Sequence, residues 1–208
     1  MTLDTLGVEA FDARGATVAD HRGAAVIVDR RETAAADIRS AAVVEPAALR
    51  RAFRRHAAGV TVVTMAGPRG PVGFTATSVA SLSADPPLLS LSLSATSSCA
   101  PALLAAPSLV VHLLSDGQEG LAARFATSGI DRFAEPTRWR PLPTGEPLLV
   151  DASVWLRTRI LSRLSAGDHH LVIAEVVETQ VESDAEASTA PLVYHNGSYG
   201  TVTPRASG

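Results

Sequence analysis

Between Leu89 and Ser94 leucine and serine alternate without interruption. A period of two puts three leucines on one face and three serines on the other only if the backbone is extended, so this stretch predicts a half-buried strand. The same reasoning extends along the chain. Val60 to Met65 is β-branched, Gly67-Pro68-Arg69-Gly70-Pro71 is a turn, and Val72 opens the returning strand of a hairpin. Further strands are expected at Leu109–Leu114, Val154–Leu164, Leu171–Val181 and Leu192–Tyr194, with turns at Ala166-Gly167-Asp168, Asp184–Thr189 and Asn196-Gly197. Three short helices fit between them: one entered at Glu45-Pro46 and ended by Gly59, one at Ala100–Ala105 and one at Glu119–Phe125. Residues 134 to 147 read as an irregular loop of the length that often serves as a cover. No βαβ rhythm recurs, so a mainly β fold is expected, a closed or split β-barrel with Greek-key-like connections and a few short flanking helices.

The stretch from Gly73 to Leu88 is dense in small hydroxyl residues and ends in Asp85-Pro86-Pro87. Thr75, Thr77, Ser78, Ser81 and Ser83 offer donors and acceptors without bulk, which suits close approach to a polar, planar or phosphorylated ligand. A serine- and threonine-rich loop closed by a turn accounts for the same composition. The Gly67, Gly70 and Gly73 spacing fits neither the Walker nor the dinucleotide pattern and belongs to the turn.

The 208 residues are of one-domain size. Residues 1–45 read as an N-terminal arm, loosely ordered or packed on a partner subunit, with one strand-like patch at Val26-Ile27-Val28; residues 46–204 form the domain proper. A net charge of −3 with scattered arginines gives no footprint for nucleic acid. All 18 basic side chains are arginine, so Schiff-base chemistry and lysine general bases are excluded, and any phosphate must be met by arginine, hydroxyls or backbone N–H groups. The single Cys99 excludes an internal disulfide, the six histidines are dispersed without metal-ligand spacing, and no apolar run approaches a membrane span. A cytoplasmic protein is expected. No Gly-x-Ser-x-Gly elbow is present, so the residues suit holding a cofactor that does the chemistry.

The order Gly73-Phe74-Thr75-Ala76-Thr77-Ser78, then Ser81-Leu82-Ser83, then Asp85-Pro86-Pro87-Leu88 resembles the flavin-binding segment of the short-chain flavin reductase family, the small partners of two-component flavin-dependent monooxygenases. Phe53–Thr64, Gly167-Asp168-His169 and Pro191-Leu192-Val193-Tyr194 resemble further landmarks in family order. The resemblance implies an FMN-binding split barrel that takes hydride from NADH or NADPH to FMN or FAD and hands reduced flavin to a monooxygenase. It implies a homodimer whose flavin site lies near the interface. Carried over by position, the cofactor-binding residues are Thr75, Ala76, Thr77, Ser78, Ser81, Ser83, Ser92, Ser94, Ser97, Arg124, Phe125, Arg132 and Tyr199. Here Ser97 falls near the phosphate, and Arg124 and Arg132 are the candidates to pair with it. His169 matches a histidine that orients nicotinamide. Two departures stand out: Ala95 replaces a common basic residue and Ala174 replaces a common glycine. They keep open two other functions, a flavin-retaining oxidoreductase acting on an organic substrate and a non-catalytic flavin- or haem-binding module.

Overall fold

A computed structural model of the chain describes residues 44–181 and 190–203, together with two short strands near the N-terminus. Those two, β1 (Ala16–Ala19) and β2 (Ala25–Val28), pair antiparallel, and they belong to a compact unit, residues 1–49, separate from the unit formed by residues 50–208. The rest of the arm and the expected turn at Asp184–Thr189 lie outside the described residues.

Helix α1 (Pro46–Phe53) starts at the expected proline but stops well before Gly59, and none of its residues is buried. Ten strands and two helices then follow before the C-terminal pair. They are β3 (Ala58–Gly59), β4 (Thr61–Gly67), β5 (Gly70–Ala76), β6 (Ala80–Ser83), β7 (Leu88–Ser94), α2 (Ala100–Ala105), β8 (Ser108–Leu113), α3 (Glu119–Ala126), β9 (Trp139–Pro141), β10 (Pro147–Leu149), β11 (Val154–Ala166) and β12 (His169–Val181). The chain ends in β13 (Leu192–His195) and β14 (Ser198–Thr201). Asn196 and Gly197, at φ 50° and 89°, make the tight turn between these last two strands. The stretch 134–147 is more ordered than expected, because Trp139–Pro141 returns as the partner of Pro147–Leu149.

Seven strands form one antiparallel sheet in the order β5-β4-β8-β11-β12-β7-β6. Its two edges, β5 and β6, are consecutive in the chain and joined only by Thr77-Ser78-Val79. Four Cα steps reach at most about 15 Å, whereas a flat sheet of seven strands would part its edges by about 29 Å. The sheet therefore has to curl. Two bulges, at Val177 of β12 opposite the Arg157–Thr158 step and at Leu161 of β11 between Ile160 and Ser162, supply local bending in its longest hairpin. The curl encloses one apolar cluster to which both sides contribute: Phe74 and Ala76 from β5, Leu89 and Leu91 from β7, Val172 and Ala174 from β12, and Leu103 from α2. Just before β6, the Ser78 hydroxyl donates to the Ser92 carbonyl at 2.9 Å and accepts the Ser92 N–H at 3.0 Å, so a side chain continues the β6–β7 pairing where the backbone ladder has ended.

A second cluster, with Val60, Val62, Phe125, Phe133 and Leu192, lies beneath α3 and the β14-β13-β3 sheet. His112 joins it to the short hairpin: its Nδ1–H donates to the Val62 carbonyl and its Nε2 accepts the Leu149 N–H, each at 3.0 Å. Arg163 closes the C-terminal end of α2 by donating to the carbonyls of Leu103 and Ala106.

Candidate functional site

The β7 alternation is realised as read. Leu89 and Leu91 are buried in the barrel while Ser90, Ser92 and Ser94 lie half-buried on its outer face. Cross-strand partners share a face, so the register His169↔Ser94 and Leu171↔Ser92 puts the imidazole on the same outer face as the serines. His169 Nδ1 lies 2.7 Å from Asp168 Oδ1. The contact with His169 and its charge hold the Asp168 carboxyl below the usual carboxylate range. A carboxylate on Nδ1 leaves Nε2 as the outward nitrogen. The Asp168 carbonyl also accepts the Ala95 N–H at 2.9 Å, so the β11–β12 turn and the turn after β7 are locked together.

The turn after β7 continues the hydroxyl rim. Ser94 Oγ contacts Thr96 Oγ1 at 2.9 Å, the Ser97 N–H donates to the Ser94 carbonyl, and Ser97 Oγ accepts the Cys99 N–H at 3.2 Å. Thr77 and Ser78, both exposed, reach this rim from the β5–β6 connection through the Ser78–Ser92 contact. Thr77, Ser78, Ser92, Ser94, Ser97 and His169 are thus brought together.

Other residues proposed from the sequence are placed elsewhere. Ser81 and Ser83 pair with Leu89 and Leu88, at the far end of β7 from Ser94, and six residues of strand separate the two ends by roughly 20 Å. The Thr75 hydroxyl donates to the Ala122 carbonyl at 2.6 Å and ties β5 to α3, while the Ala76 side chain is in the core. Phe125 is fully buried, edge-on to Phe133 at 5.2 Å, and has no face to offer a ligand. Arg124 is committed in part to the loop before β9: its Nε and Nη2 donate to the carbonyls of Asp131, Arg132, Ala134 and Glu135, and its Nη1 takes no part in these bonds. With Asp131 Oδ1 accepting the Phe133 and Ala134 N–H groups, those bonds make the loop before β9 a fixed wall where the sequence suggested a cover. Tyr199 packs on the second cluster and against Tyr194 at 5.2 Å; burial, then Tyr194, pushes its phenol upward. Ala174 is fully buried inside the barrel opposite Leu89, so its methyl group faces away from the serine side.

One partner escaped the sequence reading. Cys99, buried before α2, contacts both Gly73 and Arg132, and nothing in the sequence marks it. Asp168, the sequence neighbour able to hold His169, does so.

The donor set can be tested against a flavin. Small hydroxyls on one face of β7 and in the turn after it present several hydrogen-bond groups and little bulk, which fits a flat heteroaromatic ring with polar edges. No group of three or more metal-ligating side chains occurs among the described residues.

An antiparallel sheet of seven strands that must curl to bring its outermost strands together belongs to the mainly β, barrel-like class of folds. Residues 53–203 match the flavin reductase like domain, and the chain belongs to that family. It is 50% identical over 155 residues to the NADH:FMN oxidoreductase of Rhodococcus qingshengii, covering 74% of this chain and 81% of the relative. Among solved structures it is similar to the NADH:FAD oxidoreductase of Streptomyces globisporus in complex with NAD and FAD fragments, with a TM-score of 0.71, 30% identity and coverage of 80% and 100%. It is also similar to a nitrilotriacetate monooxygenase component B homologue from Mycobacterium thermoresistibile, at a TM-score of 0.69, 28% identity and coverage of 79% and 92%.

Proposed function

We propose that this chain is an NADH-dependent flavin reductase that reduces FMN or FAD and supplies the reduced flavin to a partner monooxygenase. The observation that carries the proposal is the direct register of His169 and Ser94, which sets an oriented imidazole at the end of the hydroxyl rim. Flavin, when bound, supplies a ring that accepts a hydride and later gives up the electrons. The chain's own contribution is positional. Thr77, Ser78, Ser92, Ser94 and Ser97 grip the polar edges and hold one ring face toward the nicotinamide, and His169 Nε2, fixed by Asp168, orients the donor. No side-chain base is needed for that transfer.

The names of the relatives support both flavins and favour NADH as donor. The component B homologue supports a monooxygenase as the recipient. The reading includes a cytoplasmic location and a homodimer, the latter supported by the exposed apolar side chains Leu161, Leu164 and Val177 along the β11–β12 hairpin. No helix among the described residues is long and apolar enough to cross a membrane.

The test is NADH oxidation under air with FMN or FAD in large excess over protein. Many turnovers per chain are expected with either flavin. A yellow protein that retains its flavin and consumes no excess NADH would overturn the reductase reading in favour of a flavin-retaining enzyme.

A further inference from the structure

We infer that Arg132 is a positioning residue which sets the two halves of the flavin rim at their working separation, acting through Gly73 and Cys99. The inference rests on the flavin reductase reading above and concerns how the rim is built.

The rim comes from two stretches of chain that are not paired by any backbone ladder: 73–78, entering from β5, and 94–99, leaving β7. One guanidinium touches both. Arg132 Nη1 donates to the Gly73 carbonyl at 2.9 Å and to Cys99 Sγ at 3.1 Å, while its Nε donates to the Thr127 carbonyl at 2.9 Å. The Cys99 thiol lies 3.5 Å from the same Gly73 carbonyl, which closes a three-membered contact. From Cys99 the constraint passes to ligand-facing groups, since its N–H is held by Ser97 Oγ and the Ser97 N–H by the Ser94 carbonyl. From Gly73 it passes along β5 to Thr77 and Ser78.

A guanidinium suits this task because its donors lie in one plane at fixed angles, so acceptors bound to it are held at a fixed spacing. An ammonium group carries the same charge on a flexible stem and cannot hold the Thr127, Gly73 and Cys99 acceptors at that spacing. The role differs from the phosphate contact expected from the sequence. A phosphate ligand discriminates phosphorylated from unphosphorylated flavin; a strut between the two halves of the rim serves both alike.

The experiment uses the full chain with Arg132→Lys, Arg132→Gln and Cys99→Ala, and Val110→Ala as a core substitution remote from the rim. Dissociation constants for FMN and riboflavin are measured by quenching of flavin fluorescence, with the KM for NADH at saturating flavin and the thermal midpoint on the same samples. Both Arg132 variants are expected to weaken FMN and riboflavin by one common factor of about tenfold, and Cys99→Ala by a smaller common factor, with the KM for NADH unmoved. Val110→Ala is expected to lower the midpoint and leave both flavin affinities intact, which separates positioning from general loss of stability. Loss of FMN affinity with riboflavin unaffected would overturn the inference in favour of direct phosphate contact. Wild-type affinity in folded variants would overturn it outright. Should Arg132→Gln fail to fold, Arg132→Lys and Cys99→Ala carry the same comparison. A wild-type chain that binds neither flavin would instead remove the flavin reading itself.

Discussion

Gly73 lies against the ring of Phe125 so closely that a methyl group at position 73 would meet the ring carbon Cε1 at 2.7 Å and the Val63 carbonyl oxygen at 3.0 Å. Neither neighbour can yield, because Phe125 is fully buried and the Val63 oxygen belongs to the adjoining strand. Gly73→Ala is expected to destabilise the fold by about 1–3 kcal/mol through overpacking. Urea unfolding of the two proteins checks this, and equal midpoints would show that β5 shifts without cost.

His169→Ala should slow turnover with NADH more than it weakens flavin binding, because the imidazole sits at the end of the rim and not within it. A fall of about tenfold in kcat/KM for NADH is expected from lost orientation alone. Asp168→Asn should have a smaller effect in the same direction, since an amide oxygen still accepts from Nδ1 but carries no charge. Steady-state kinetics beside flavin titration make the comparison, and equal turnover by His169→Ala and the wild type would retire the assignment.

His112 gives the stability a pH dependence. Burial pushes its pKa down to about 4, against a smaller upward pull from the Val62 carbonyl. The unfolded chain takes up this proton near the ordinary histidine value of about 6.5, so the native state is disfavoured progressively as pH falls from there to about 4 and no further below. The loss is at most about 3 kcal/mol. Glutamine can donate to Val62 and accept from Leu149 without titrating, so His112→Gln is expected to flatten stability between pH 6.5 and 4.5 in denaturant titrations.

Glu146 adds a separate acid limb. Burial raises its carboxyl, but the Ser108 and Thr144 hydroxyls, its own backbone and Arg157 more than offset this and leave it below the usual range. Its contribution is present above the ordinary carboxylate value and is lost as pH falls through the lowered one. Because Glu146 is 1% exposed and 3.0 Å from Arg157, Glu146→Gln leaves a guanidinium without its anion and should cost about 3 kcal/mol at neutral pH. Unfolding curves at pH 7 measure that cost, and repeated at lower pH they should show a smaller acid loss for the variant than for the wild type.

Ser78→Ala removes both contacts that hold the β5–β6 connection on β7. A loss of about 1 kcal/mol is expected, together with faster amide exchange at Ser92. Unchanged exchange there would mean that the connection is held by packing alone.

Much of the barrel was legible because its signals are local. The period of two in Leu89–Ser94 and the turns at Gly67–Pro71 and Gly167-Asp168 need only neighbouring residues to be read, and they fall where expected. The rim was legible in part. The family resemblance singles out Ser92, Ser94 and Ser97, and alternation gives the face of the first two, but which hydroxyls meet depends on strand register across the curl. Register places Ser83 at the opposite end of β7 from Ser94 although the two read alike in sequence. Arg124 and Arg132 were equally plausible anion partners by type. Only the tertiary path shows one gathering loop carbonyls and the other spanning Gly73 and Cys99. The helix at Pro46 was overextended because its apolar spacing continues to His56, whereas no packing surface holds that last turn.

The three residues between β5 and β6 tether the two outermost strands of the sheet to each other. Under the proposed function the same three residues would border the bound ring, so the tether and the grip on the ligand are coupled. A covalent tie from position 78 to β7 is then expected to trap flavin and halt delivery while making the protein harder to melt.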